Sequence, residues 1–459
     1  MRHTPFWARL FMRQCVLFPR TPFVCYTVPM LDYKYIVENL KAVMANVADR
    51  FTKADPQAVA RLYKQRSELV TSSQLLQQQR NTNAQAMKGK LEADQRNILI
   101  EEGKKLKDEI AAAQIELDNI EIELKTEARR IPNMAHPDAP IGKEDKDNLE
   151  VKQVGTIPHF NFDPCDHVKL GQDLDIIDFD SGTKVSGTKF YYLKNEGVYL
   201  ELGLVRYALD ILQKKGFTPF ITPDIAREEI LEGIGFNPRG AESNVYMIEG
   251  EDACLVGTAE ITLGGYYSDT IFAKEQLPLR MAGLSHCFRR EAGAAGQFSK
   301  GLYRVHQFTK LEMFVYCLPE ESDRFHDELR AIEEEIFDGL NIPFRVVDTC
   351  TGDLGAPAYR KWDLEAWMPG RANPPSRNGG EWGEVTSTSN CTDYQARRLN
   401  IRYKDDDGKN KFVHMLNGTA IAVSRAIIAI LENFQQADGS VRIPRALVPY
   451  CGFDIIRRK

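Results

Sequence analysis

Apolar residues in the first third of the chain recur every three or four positions. Val59, Leu62, Leu69 and Leu76 keep this spacing, with polar Arg66 and Ser73 in the same register. After a break at 87–95 the pattern returns as Leu99, Leu106, Ile110, Ala113, Leu117, Ile120 and Leu124. A seam sustained over so many turns predicts two long helices. The break holds Gly89 between Lys88 and Lys90, so the helices are expected to fold back as an antiparallel coiled-coil hairpin. Such a hairpin has a thin core and would project from a larger body; an oligomerising coiled coil or a plain helical domain is the alternative. A shorter helical segment is expected over 31–55, and three prolines with mixed charge mark 132–149 as a linker.

From about residue 150 the period changes. Helices are expected at 200–214 and, amphipathic, at 320–340; strands at 217–222 and 344–348; and a strand at 412–416 feeding a helix at 420–435. Strand-like text also flanks a Gly/Ala-rich loop within 284–314. Hairpins outnumber strand–helix–strand units, which predicts an α+β domain on an antiparallel sheet. The domains are therefore drawn at 30–131 (helical arm), 132–149 (linker) and 150–459 (α+β domain).

Composition adds bounds. The 459 residues suffice for two or three domains with a large core. The net charge of −6 does not itself suggest nucleic acid, although local basic patches can bind RNA on an acidic protein. Nine cysteines, irregularly spaced and without a CxxC pair, indicate neither a disulfide framework nor a zinc module and suit a reducing interior. No run of about 18 apolar residues is present, so no transmembrane helix and no membrane partner is expected. Residues 1–29 carry Arg2, Arg9, Arg13 and Arg20 and no acidic residue. This reads as an organellar transit peptide, with the mitochondrial matrix first. Plastid stroma or both organelles are the alternatives, and a start at Met30 would leave a cytoplasmic protein.

Candidate chemistry gathers in four stretches of polar residues set in strand-like text. They are 257–260 (GTAE), 284–314, 383–391 (GEVTSTSNC) and 416–425 (LNGTAIAVSR). Together they supply carboxylates at Glu260, Glu291, Glu312 and Glu384, arginines at Arg289 and Arg425, and polar groups at Thr258, Ser387, Asn417 and Thr419. Such a set can clamp a zwitterion and a polyphosphate at once. No GxxxxGK(S/T) and no GxGxxG after a first strand is present, which disfavours P-loop and Rossmann nucleotide binding. His306 reads as a structural hydrogen-bonder within its strand.

These stretches, in this order, resemble the class II aminoacyl-tRNA synthetases, and among them the seryl-tRNA synthetases of bacterial and organellar type. Residues 216–223 (GFTPFITP) are similar to motif 1. Phe288-Arg289-Arg290-Glu291 through Tyr303–Phe308 to Glu312 is similar to motif 2, and Asn417-Gly418-Thr419 with Arg425 and 431–439 to motif 3. The stretches 257–260 and 384–398, together with the helical arm, are typical of the seryl members.

The resemblance implies a serine–tRNA ligase that uses ATP and Mg²⁺. Seryl-adenylate and pyrophosphate form first, and tRNA(Ser) then takes the acyl group; tRNA(Sec) is a further candidate. It implies catalytic roles for Arg289 and Arg425, and an ATP set of Arg289, Arg290, Glu291, Val305, His306, Gln307, Phe308, Glu384, Val385, Thr386, Ser387 and Arg425. Phe308 would stack under the adenine and Arg425 over its other face. The implied L-serine set is Thr258, Ala259, Glu260, Arg289, Glu312, Asn417 and Thr419, and the implied metal ligands are Glu384 and Ser387. The arm would grip the long variable arm of tRNA, with Lys64, Arg66, Arg80, Lys88, Lys90, Lys104, Lys105 and Lys107 available to phosphates. A homodimer built on motif 1 is implied. The sequence departs from the family in a long segment at 371–382, in threonine at 386 and 419 where serine is common, and in Arg290 at a variable position.

Overall fold

The computed structural model describes residues 31–237, 243–292, 300–371 and 379–458. The leader at 1–29, the Gly/Ala-rich loop at 293–299 and residues 372–378 of the long segment lie outside the described residues.

The chain opens with α1 (Tyr33–Glu38) and α2 (Leu40–Asp49), then α3 (Pro56–Ala86) and α4 (Ala93–Arg129). Helices α3 and α4 pack against each other as the expected hairpin. The first long helix starts cleanly because the Asp55 carboxylate accepts from the backbone of Gln57 and Ala58, with Pro56 at the first helical position. The hairpin's core is concentrated at its root, where Ile36, Val43, Val59, Leu62, Leu124 and Ala128 are buried together. Further out, polar seam positions meet partners across the hairpin: Arg66 Nε donates to Glu121 at 3.0 Å, and Asn83 to Glu102 at 3.1 Å.

The segment 132–149 is hydrogen-bonded into the body. Buried Asn133 donates its amide to the carbonyls of Pro357 (2.9 Å) and Cys391 (3.0 Å). Its own carbonyl accepts from Asn46 and Arg50 of the arm root.

The body is built on an eight-stranded sheet. Its strands are β1 (Leu149–Val154), β2 (Thr218–Ile221), β3 (Leu279–Phe288), β4 (Gln307–Cys317), β5 (Phe344–Asp348), β6 (Arg360–Met368), β7 (Glu381–Asn390) and β8 (His414–Ala422). The order is β1-β5-β6-β7-β8-β4-β3-β2. Neighbours run antiparallel except β2, which pairs with β3 in parallel at the edge. Pro219 sits in that strand, and an edge tolerates the missing donor.

The remaining helices used below are α5 (Glu196–Lys214), α6 (Ala259–Gly265), α7 (Ser322–Gly339), α8 (Tyr394–Arg398) and α9 (Val423–Asn433). Alternation along β4 divides two cores. Leu311, Met313 and Val315 pack into the cluster that includes α5, α7 and α9, while Phe314 and Tyr316 pack on the opposite face with α6.

Two sequence expectations need correction. Residues 420–422 extend β8, and the helix expected from 420 begins at Val423. The 257–260 stretch is not strand: Thr258 is the N-cap of α6, its hydroxyl accepting from the backbone of Glu260 at 3.2 Å.

Candidate active site

Two β-bulges shape the site. On β7, Glu384 lies opposite Glu365 and Thr386 opposite Leu364, which leaves Val385 as the extra residue. Glu384 and Ser387, three apart in sequence, thereby share one face of the sheet. On β8, Thr419 lies opposite Glu312 and Ile421 opposite Leu311, so Ala420 is extra. Before the bulge the register is unbroken, so Asn417 and Thr419, opposite Phe314 and Glu312, lie on the face of Glu312. The face encloses a cavity of about 210 Å³, bordered by Thr258, Glu260, Arg289, Glu291, Val305, Phe308, Glu312, Glu384, Val385, Ser387, Asn417, Thr419 and Arg425.

At one end two buried carboxylates face inward. Glu260 Oε1 accepts from Gln395 Nε2 at 2.8 Å and from Asn417 Nδ2 at 2.9 Å. Burial, and then the Glu312 charge, push the Glu260 carboxyl up from its ordinary 4.5 to about 7. Glu312 Oε2 is ion-paired with Lys310 and accepts from Thr419 Oγ1 at 3.4 Å. The helix bearing Glu260 lies close on β3 because Gly283 has no side chain: a Cβ there would come within 2.8 Å of Leu263.

At the other end lie the arginines. The Arg289 guanidinium is 5.3 Å from the Phe308 ring centre and its Nε donates to the Gly257 carbonyl at 3.2 Å. His306 hydrogen-bonds through Nδ1 to the Arg289 carbonyl at 2.8 Å, while the Arg289 amide donates back to the His306 carbonyl. His306 is thus a structural hydrogen-bonder, though it lies just before β4 and not within the strand as expected. Glu291 has φ of +49°, a strained backbone for a non-glycine residue, and pairs with Arg304 at 2.9 Å. Arg425 pairs with Glu384 at 3.0 Å and lies over Tyr303 at 4.8 Å. Burial alone would raise the Glu384 carboxyl. Arg425, then Lys361 and Arg289, outweigh it and hold the group below its usual range. Past Glu384, Tyr303 and Arg425 a second cavity of about 790 Å³ opens, carrying Arg304, Arg345, Lys361 and Arg371 among its walls.

Four residues of the implied set do not border the first cavity. Arg290 is exposed and engages through its backbone, its amide donating to the Asn244 carbonyl. Gln307 borders a different cavity beside His286 and Thr309, the strand's alternation having turned it away. His306 is spent on Arg289, and Ala259 packs against Gly283. Thr386 borders the cavity, but its hydroxyl donates behind the sheet to Glu333 on α7 at 3.0 Å. Three residues join the site that had no assigned role: Lys310, Gln395 and Tyr303. Tyr303 and Gln395 stood within the family-like stretches without a role, and Lys310 was signalled by its alternation with Glu312.

The family model for the tRNA synthetase class II core domain (G, H, P, S and T) matches residues 245–434, and that for the seryl-tRNA synthetase N-terminal domain matches 30–135. The serine–tRNA ligase of Treponema denticola is 70% identical over 427 residues, 93% of this chain and 100% of the relative. The chain belongs to the seryl-tRNA synthetases. The serine–tRNA ligase of Borrelia recurrentis is 56% identical over 430 residues, 94% of this chain and all of that one. Among solved structures, seryl-tRNA synthetase from Pyrococcus horikoshii complexed with ATP superimposes with a TM-score of 0.84 at 38% identity, covering 94% of this chain and 100% of that one. The cytoplasmic serine–tRNA ligase of Naegleria fowleri in complex with AMP gives 0.81 at 30% identity, covering 94% and 99%. The recognised family, the α+β class II architecture and the helical N-terminal region agree with the sequence expectation.

Proposed function

We propose the following division of labour within the cavity for the reaction of this family. The chain is a serine–tRNA ligase, an ATP-dependent aminoacyl-tRNA synthetase. Serine's carboxylate attacks the α-phosphorus of ATP, pyrophosphate leaves, and the terminal ribose of tRNA then takes the seryl group. The observation that carries the assignment is the pair Glu260 and Glu312, buried in one cavity with Arg289.

Glu260 takes the substrate ammonium and Glu312 accepts from its hydroxyl. An amino acid lacking the hydroxyl leaves that buried acceptor unpaired, which the site rejects strongly. Arg289 meets the substrate carboxylate and the α-phosphate and stabilises charge growing there. Its position over Phe308 means the ring can take the adenine only as Arg289 turns to the phosphates. Glu291 accepts from the adenine amino group, and Arg425 serves the terminal phosphate, with the basic walls of the second cavity on the pyrophosphate side. Positioning and charge neutralisation carry the first step.

Glu384 and Ser387 suit Mg²⁺: they are hard oxygen donors sharing a face. Among the described residues no cluster of three or more His, Cys, Asp or Glu could hold a metal unaided, so phosphate oxygens and water would complete its shell. When bound, the ion neutralises phosphate charge.

A homodimer is supported by the apolar surface beside β2: Val198, Tyr199 and Leu202 of α5 are exposed, and Ile221 is 87% exposed. The arm's lysines support tRNA(Ser) binding, which salt should weaken; tRNA(Sec) charging is a separate proposal tested on that tRNA. For location, the leader at 1–29 supports organellar import, mitochondrial before plastid, with the cytoplasm if synthesis starts at Met30. The relatives above with 56% and 70% identity are bacterial and lend the organellar reading no support. A reporter fused to residues 1–29 tests it, and failure to enter either organelle would overturn it. The reaction itself is tested by ATP–pyrophosphate exchange with serine, threonine and alanine. Exchange with serine alone is expected; exchange with another amino acid alone would overturn the assignment of Glu260 and Glu312.

A further inference from the structure

We propose that Lys310 is a positioning residue for serine specificity: it ties down one oxygen of Glu312 so that the other is aimed at the substrate hydroxyl. The proposal rests on the reading of Glu312 given above.

Lys310 and Glu312 stand two apart on β4 and so point to the same face. Lys310 is flanked in the sheet by Ser285 on β3 and Ala422 on β8, and it is buried. Its ammonium is ion-paired with Glu312 Oε2. The Thr419 hydroxyl donates to the same oxygen. Among the described residues no hydrogen bond falls on Oε1. An ion pair and a hydroxyl hydrogen bond on one oxygen hold the carboxylate on that side and leave its second oxygen for a ligand.

A purely structural ion pair fits this position poorly. Withdrawing an ammonium and a carboxylate from water costs several kcal/mol per ion, and well-packed apolar residues usually serve a sheet as well or better. This strand face already makes that choice further along, where Phe314 and Tyr316 are fully buried in an apolar cluster. The charges appear only where the strand borders the cavity. Glu260 also lies close enough for the Glu312 and Lys310 charges to act on it in opposite directions. The lysine thus keeps a second carboxylate tolerable beside the first, while aiming it.

The prediction separates aiming from direct binding. A lysine that itself held the substrate's carboxylate would favour serine and alanine equally. A lysine that aims Glu312 favours only the amino acid with a hydroxyl. The test is ATP–pyrophosphate exchange by the full chain with serine and with alanine, on wild type, Lys310→Met, Lys310→Arg, Glu312→Gln and the double variant Lys310→Met/Glu312→Gln. Lys310→Met should lower the serine-to-alanine ratio of kcat/KM by about tenfold or more, the scale of one charged hydrogen bond, with KM for ATP within about twofold. Lys310→Arg should recover part of the ratio. In the Glu312→Gln background, Lys310→Met should change the ratio no further. An unchanged ratio in Lys310→Met, or a further fall in the double variant, would overturn the proposal. If Lys310→Met fails to fold, Lys310→Arg decides it: that variant keeps the ion pair but shifts its geometry, so an unchanged serine-to-alanine ratio in a folded Lys310→Arg would overturn the proposal. A ratio that survives Glu312→Gln alone instead refutes the reading of Glu312.

Discussion

Replacing Glu260 by glutamine should stabilise the protein while disabling it. Among the described residues the two donors that reach this side chain, Gln395 and Asn417, both end on Oε1. A glutamine can present its carbonyl to both, so the change removes the charge and keeps the contacts. The carboxyl is shifted from 4.5 to about 7 by burial and by Glu312, against the opposing pull of Gln395, Lys310 and Arg289. At about 1.36 kcal/mol per pH unit, that difference makes the ionised form cost about 3 kcal/mol in the folded state. The sign follows from proton binding. Between pH 4.5 and about 7 the folded protein holds the proton and the unfolded chain does not, so wild-type stability falls as pH rises through this window and levels off above it. Glu260→Gln has no such loss. Urea unfolding at several pH values should show the variant equal to wild type near pH 4.5 and more stable by up to about 3 kcal/mol at pH 8. Its kcat/KM for serine should be far below wild type, because the substrate ammonium loses its counter-charge. A stability gap at pH 8 under about 0.5 kcal/mol, or one that does not shrink on acidification, would refute the reasoning.

Other expectations follow from the same geometry. Arg289→Ala should slow serine-dependent pyrophosphate exchange by about 10²–10³-fold with the fold intact, checked by exchange rate and circular dichroism together. Gly283→Val should push α6 off β3 through Leu263 and raise KM for serine more than KM for ATP, because α6 carries Glu260 and not the nucleotide residues. Asn133→Ala should cost about 1–3 kcal/mol in thermal or urea unfolding, since the carbonyls of Pro357 and Cys391 lose a buried donor.

Much of this was readable from residue order where the cause was local. The helical hairpin was legible because Val59, Leu62, Leu106 and Leu124 repeat at helical spacing, and polar Arg66 fits the seam because Glu121 meets it across the hairpin. Most residues named from the motifs border one cavity. Their geometry was not legible. Val385 and Ala420 look like ordinary strand residues, and only the register of β6 and β4 against them reveals the bulges. Thr258 to Leu263 is rich in β-branched and apolar residues and reads as strand, yet the threonine hydroxyl caps a helix. Gln395 lies 135 positions from Glu260, so no spacing rule could join them. Gln307 sat within the right motif but on the wrong side of the pleat. Arg425 lies over Tyr303, a residue far from it in the chain, so no spacing rule could join them either.

The most direct test of the central claim is charging of tRNA(Ser) by the intact chain with radiolabelled amino acid, ATP and Mg²⁺. The account predicts an ATP-dependent serine ester on the tRNA, with threonine and alanine transferred negligibly. No charging with serine, or efficient charging with alanine, would contradict it.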